Sequence, residues 1–152
     1  MIAAERKGIA VRHVGVVVKD LERSLQFYRD LLGLRVVTRR EEAGEYLDRL
    51  LALKNARMTT VKLAAAEGGA VIELLRFHSP QGAAEAPRTI CTPGPTHVAF
   101  GVEDLAALYQ RLRQAGIRFN APPQRSPDGS AKVCCCQDPD GMTIELVEVL
   151  SS

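Results

Sequence analysis

A chain of 152 residues that is 46% hydrophobic and 25% charged has the composition of a folded globular protein, which excludes a disordered tail or linker. Its 20 basic and 18 acidic residues leave a formal charge of +2, with no basic block or interleaved aromatics, so nucleic acid is not an expected partner. No apolar run reaches the roughly 18 residues of a membrane span, and the opening MIAAERKG lacks the apolar core of a signal peptide.

Four cysteines, three of them consecutive at Cys134, Cys135 and Cys136, do not make a disulfide framework. Reduced thiols and a cytoplasmic location are therefore expected.

In chain order, the β-branched alternation from Val11 to Val18 predicts a strand, and Asp20 is placed to cap a helix beginning at Leu21. Leu21, Leu25, Tyr28 and Leu32 form one stripe, and Gly33 stops the helix. Leu34 to Arg40 reads as a second strand with Leu34, Val36 and Thr38 on one face. Glu41 to Asn55 carries Leu47, Leu50 and Leu51 at helical spacing and predicts a short amphipathic insertion. Arg57 to Ala65 and Ala70 to Phe77 flank Glu67, Gly68 and Gly69, the pattern of a hairpin.

Pro80, Pro87, Pro93 and Pro95 mark His78 to Pro95 as a linker. Beyond it come a strand from Thr96 to Val102, Asp104 as an N-cap, and a helix carrying Leu105, Leu108, Leu112 and Ala115 with Gly116 as its stop. A short strand around Ile117 to Phe119 follows, and Pro122 and Pro123 break it. Lys132 to Gln137 and Met142 to Val149 read as strands joined by the turn Asp138-Pro139-Asp140-Gly141.

The chain is one unit written twice. Setting His13 on His97 also matches Val14 with Val98, Val18 with Val102, Asp20 with Asp104, Leu21 with Leu105, Gln26 with Gln110 and Arg29 with Arg113. IEL at Ile72 to Leu74 returns as IEL at Ile144 to Leu146. Each half is βαβββ, and the insertion at 41–55 has no counterpart in the second half.

Because successive side chains of a strand alternate between faces, Val14, Val16 and Val18 belong under the helix while His13 points the other way. The same parity turns His97, Glu73 and Glu145 away from the helices. Two imidazoles and two carboxylates suit a divalent transition ion, and their formal charge of −2 neutralises it. A single such His or Glu is more often satisfied locally; four at duplicated positions with one parity are a pattern.

Paired βαβββ halves with His on each first strand and Glu on each last strand resemble the vicinal oxygen chelate superfamily, and DPDGMTIELVE from Asp138 to Glu148 is characteristic of it. The resemblance implies an α+β fold in which two βαβββ modules form a curved mixed-sheet cup with helices on the outer face. It covers a single domain, 1–152, with module one at about 8–78, a linker at about 79–95 and module two at about 96–150. It further implies one divalent ion (Ni, Co, Zn, Mn or Fe) held by His13, Glu73, His97 and Glu145.

The His, Glu, His, Glu set resembles that of glyoxalase I. Methylmalonyl-CoA epimerase, of similar length, usually has Gln where Glu73 stands, and an epimerase of that type is the alternative that the resemblance implies. The chemistry implied is proton abstraction next to a carbonyl, with the ion stabilising the enolate, Glu145 as base and Glu73 as second choice. The implied substrate is a small thioester, hemithioacetal or similar carbonyl compound, and the implied assembly is a homodimer.

Two other readings stay open. His13, His97 and Glu145 without Glu73 form a two-His, one-carboxylate set suited to an Fe(II) ring-cleaving dioxygenase. Bleomycin-resistance members of the same superfamily sequester a ligand without metal or catalysis, an alternative against which four intact ligands argue. Cys134, Cys135 and Cys136 are read as strand packing, Cys91 as a plain thiol and His78 as a surface histidine. Arg35, Arg39, Arg40 and Arg57 suit either an anionic substrate tail or a solvated strand edge.

Overall fold

The computed structural model describes residues 10–83 and 89–150. The opening MIAAERKG, the first residues of the expected module one and Pro87 of the expected linker lie outside them. Two compact units emerge, one made of Met1–Leu21 and Gly33–Gln81, the other of Glu22–Leu32 and Gly82–Ser152. Together they make an α+β fold of two βαβββ modules with two four-stranded mixed sheets and three helices among the described residues.

The first unit is built on β1 (His13–Val17), β2 (Arg35–Ala43), β3 (Arg57–Ala64) and β4 (Val71–Ser79), in the order β1-β4-β3-β2. β1 runs parallel to β4, and the other pairs are antiparallel. Strand alternation buries Val16, Val61, Leu63, Ile72 and Leu74 on one face, each such side chain contributing roughly 1.5–3 kcal/mol by leaving water. The other face carries His13, Lys62 and Glu73. Gly68 and Gly69, at φ +87° and +96°, turn β3 into β4 as the hairpin reading requires.

Two expectations change here. Val36 pairs with Leu63 but Thr38 pairs with Lys62, with a register shift between them. A bulge at Val37 thus sends Val36 and Thr38 to opposite faces, instead of the one face expected. The strand then continues through Glu41–Ala43, and the insertion's helix, α2, spans only Glu45–Leu51. Of its expected stripe only Leu47 is buried, while Leu50 and Leu51 are exposed. The helix rests on one side chain because Leu47 seats into Ala56 and Met58, with Leu53, Leu75 and Phe77 around them. By strand alternation Met58, Leu75 and Phe77 share the face of Glu73, so this apolar wall rises beside the polar residues.

The second unit holds β5 (His97–Gly101), α3 (Leu105–Gln114), β6 (Gln124–Arg125), β7 (Ala131–Gln137) and β8 (Thr143–Val149), in the order β5-β8-β7-β6. Asp104 caps α3 as expected, its carboxylate accepting from the Ala107 N–H at 2.9 Å. Leu105, Leu108, Tyr109 and Leu112 are buried, as are Ile144 and Leu146. Gly116 follows the helix at φ +83°, a left-handed stop that favours glycine. The strand expected at Ile117 to Phe119 is reduced to one bridge, Phe119 with Cys136, and β6 was not foreseen.

The helix written into the first half, α1, opens as Leu21–Leu25 and widens into a π-helical turn over Gln26–Leu31, where the Leu32 N–H reaches the Phe27 carbonyl at 3.0 Å. From Glu22 on it belongs to the second unit, not to the strand it follows. Phe27 and Tyr28 are both buried and meet edge to face. The Tyr28 hydroxyl donates to Asp138 Oδ2 at 2.8 Å, and Arg111 donates to the Leu31 carbonyl at 2.8 Å. Asp138 Oδ1 accepts in turn from the Asp140 and Met142 N–H groups, each at 2.9 Å, so the turn that launches β8 is held from α1.

Candidate functional site

In the first unit Gly15 is the register partner of Glu73, which places His13 two residues back on the same face. His13 Nε2 lies 3.2 Å from Glu73 Oε2. The second unit repeats the diagonal, with Ala99 opposite Glu145 and His97 Nε2 3.1 Å from Glu145 Oε2. One register, used twice, thus brings one His and one Glu together in each unit. Among the described residues no three His, Cys, Asp or Glu side chains gather as an ion's ligands.

Gly15 has a packing reason to be glycine. A Cβ there would stand 3.2 Å from Leu75 Cδ1, tighter than ordinary van der Waals contact, so its absence lets Leu75 lie across the strand beside Glu73.

Within each pair the donor spacing suits two ligands of one divalent ion. Two ligands each about 2.0–2.2 Å from one ion are roughly 3–3.5 Å apart, the spacing found in both pairs. His97 Nδ1 is held by the Thr96 hydroxyl at 2.8 Å, which leaves Nε2 facing Glu145; a partner on the second nitrogen orients an imidazole ligand.

The two pairs differ in what stands opposite the carboxylate. Lys62 is the register partner of Glu73, and its Nζ lies 3.6 Å from Glu73 Oε1. Cys135 is the register partner of Glu145. Burial, and then the Glu145 charge, push the Cys135 thiol above its ordinary value. Glu73 thus has both oxygens engaged and a side chain 13% exposed, whereas Glu145 is 27% exposed and meets His97 through one oxygen.

Sequence reasoning passed over Lys62 and Thr96. A signal for Lys62 existed, because counting back from a turn centred on Glu67 and Gly68 sets it against Glu73. Cys134 and Cys136 point into the core, as alternation requires, and burial raises their thiols to about 11 and about 12. His78 is less solitary than a plain surface histidine, with Nε2 2.7 Å from the buried Thr59 hydroxyl and 3.8 Å from Glu41. A cavity of about 340 Å³ in the second unit, bounded by Arg23, Phe27, Ile117 and Pro139 among others, includes neither His97 nor Glu145.

The chain is similar to a probable lactoylglutathione lyase of Synechocystis, 28% identical over 140 residues that cover 91% of this chain and 95% of that protein. It is also similar to a 2-epi-5-epi-valiolone epimerase of an Actinomyces species, 28% identical over 150 residues covering 93% and 80%. Among solved structures, a glyoxalase family protein from Bacillus cereus superposes with a TM-score of 0.88 at 25% identity, covering 98% of this chain and 99% of that one. A family model matches residues 10–146. The chain belongs to the glyoxalase/bleomycin resistance protein/dioxygenase superfamily.

Proposed function

We propose that this protein is a divalent-metal-dependent lyase or isomerase of the glyoxalase I type, acting on a small carbonyl compound such as a hemithioacetal or thioester. His13, Glu73, His97 and Glu145 would hold the one ion, of Ni, Co, Zn, Mn or Fe. The observation that carries the reading is the duplicated pair, a His Nε2 and a Glu oxygen 3.1–3.2 Å apart at one register in each unit. Relatives named lactoylglutathione lyase support it. When bound, such an ion supplies Lewis acidity to a substrate oxygen, worth several kcal/mol of charge stabilisation.

The remaining chemistry belongs to the chain. Glu145 takes the proton next to the carbonyl, because its carboxylate is the more exposed and has one neighbouring partner, whereas His13 and Lys62 occupy both oxygens of Glu73. Returning the proton to a different carbon gives a lyase or isomerase, and protonating the same carbon on its opposite face gives an epimerase. The similarity to a named epimerase favours the latter as the second reading. The protein acts as a homodimer in the cytoplasm: β1 and β5 are edge strands of their sheets, which suits pairing, and its cysteines are free thiols.

The test is Glu145→Gln, which keeps a ligand oxygen and loses the base. With the hemithioacetal of methylglyoxal and glutathione, and with a 2-methyl-branched acyl-CoA, the variant should keep its metal. Turnover and α-proton exchange with deuterated solvent should fall about 10² to 10⁴-fold. Exchange at the wild-type rate would reduce Glu145 to a ligand and move the base to Glu73.

A further inference from the structure

We propose that Lys62 is the anion-recognising residue of this site, selecting carbonyl substrates that carry a carboxylate beside the reacting carbon. The inference rests on the ion-binding reading above and narrows its substrates to carbonyl compounds that bear such a carboxylate, a thioester with a carboxylate on its α-carbon rather than the hemithioacetal of methylglyoxal.

Position comes first. Lys62 sits opposite Glu73 in the β3–β4 ladder, and its Nζ is 3.6 Å from Glu73 Oε1, on the face that also carries His13. The duplication supplies an internal control, for the matching place opposite Glu145 holds Cys135, a neutral thiol. A cation is therefore no requirement of pairing a strand against the glutamate. It is a feature of one half only.

Charge arithmetic gives the feature a meaning. Two neutral imidazoles, two carboxylates and a divalent ion sum to zero, and Lys62 adds one positive charge. The register puts Arg35, Arg40 and Glu42, one strand further out, on the same face; Glu42 offsets one arginine, and the other adds to the positive side. An ion held by Glu73 would draw on the carboxylate that Lys62 faces at 3.6 Å, and the Lys62 ammonium would be placed to meet a carboxylate that the substrate brings. Its side chain is 35% exposed and Glu73 is 13% exposed, and the apolar wall of Leu47, Met58, Leu75 and Phe77 stands on the same face. Partial exclusion of water makes the charge preference stronger than it would be at an open surface.

The test uses two non-reacting chelators of one shape, oxalate and its neutral diamide, oxamide, titrated calorimetrically into zinc-loaded protein. Zinc content and a thermal melt accompany each variant. Lys62→Met should keep its zinc, bind oxalate about 10 to 100-fold more weakly and bind oxamide as the wild type does. Lys62→Arg should restore most of the oxalate affinity. Equal weakening for both chelators would mean that Lys62 only shapes the site, and unchanged oxalate affinity would mean that it does not see the anion; either overturns the proposal while leaving the ion site standing. Failure of the wild type to take up zinc, cobalt or nickel would overturn the ion-binding reading, and this inference with it.

Discussion

Tyr28→Phe removes one oxygen from the buried contact that ties α1 to the turn before β8. The hydroxyl donates to Asp138 Oδ2 at 2.8 Å, and both residues are buried, at 1% and 5% exposure. A hydrogen bond to a charged group contributes about 1.5–3 kcal/mol, and the ring's packing survives the substitution, so the loss should fall in that range. At about 2–4 °C per kcal/mol for a chain of this size, the midpoint should drop by roughly 3–12 °C.

The difference should also depend on pH. Burial, followed by the Asp138 charge, raises the Tyr28 hydroxyl above its ordinary value of 10.0. A phenol whose pKa is higher folded than unfolded contributes stability fully present below the unfolded value and lost as pH rises above it. The gap between wild type and Tyr28→Phe should therefore be constant up to about pH 10 and narrow beyond it. Chemical denaturation followed by circular dichroism at several pH values measures both quantities. A variant as stable as the wild type at pH 7 would refute the claim that this hydroxyl anchors the turn.

Two further expectations concern thiols and assembly. Because the core raises Cys134 and Cys136 to about 11 and about 12, and Cys91 is exposed, a disulfide reagent at pH 8 should modify Cys91 fast and the two core thiols only on unfolding. Four thiols reacting at one rate would contradict the burial. Light scattering at micromolar concentration should report a dimer, and a monomer alone would remove the proposed assembly.

The sequence made legible whatever depends on alternation and punctuation. His13, Glu73, His97 and Glu145 fall on the faces expected of them, because β-branched strands of five or more residues leave one parity to bury, and glycines mark the turn at Gly68 and the helix stop at Gly116. Features that depend on the third dimension were not legible. The bulge at Val37 leaves no mark in composition and reverses the parity of everything after it. Leu50 and Leu51 have helical spacing, but α2 is short and meets the sheet through Leu47, so the stripe stays outside. In the sequence Tyr28 is one more member of an apolar stripe; its partner, 110 residues away, gives its hydroxyl a purpose. Lys62 drew no notice because a lysine in a strand is ordinary; its neighbour across the ladder is what makes it informative.

The most direct test of the central claim is metal stoichiometry. Protein purified without chelator, and protein stripped and reloaded with nickel, cobalt or zinc, should contain about one ion per chain by elemental analysis. His13→Ala and His97→Ala should each lose most of it, because each removes one of the four proposed ligands, and the double variant should hold none. Full occupancy in the double variant would contradict the site built from these two pairs.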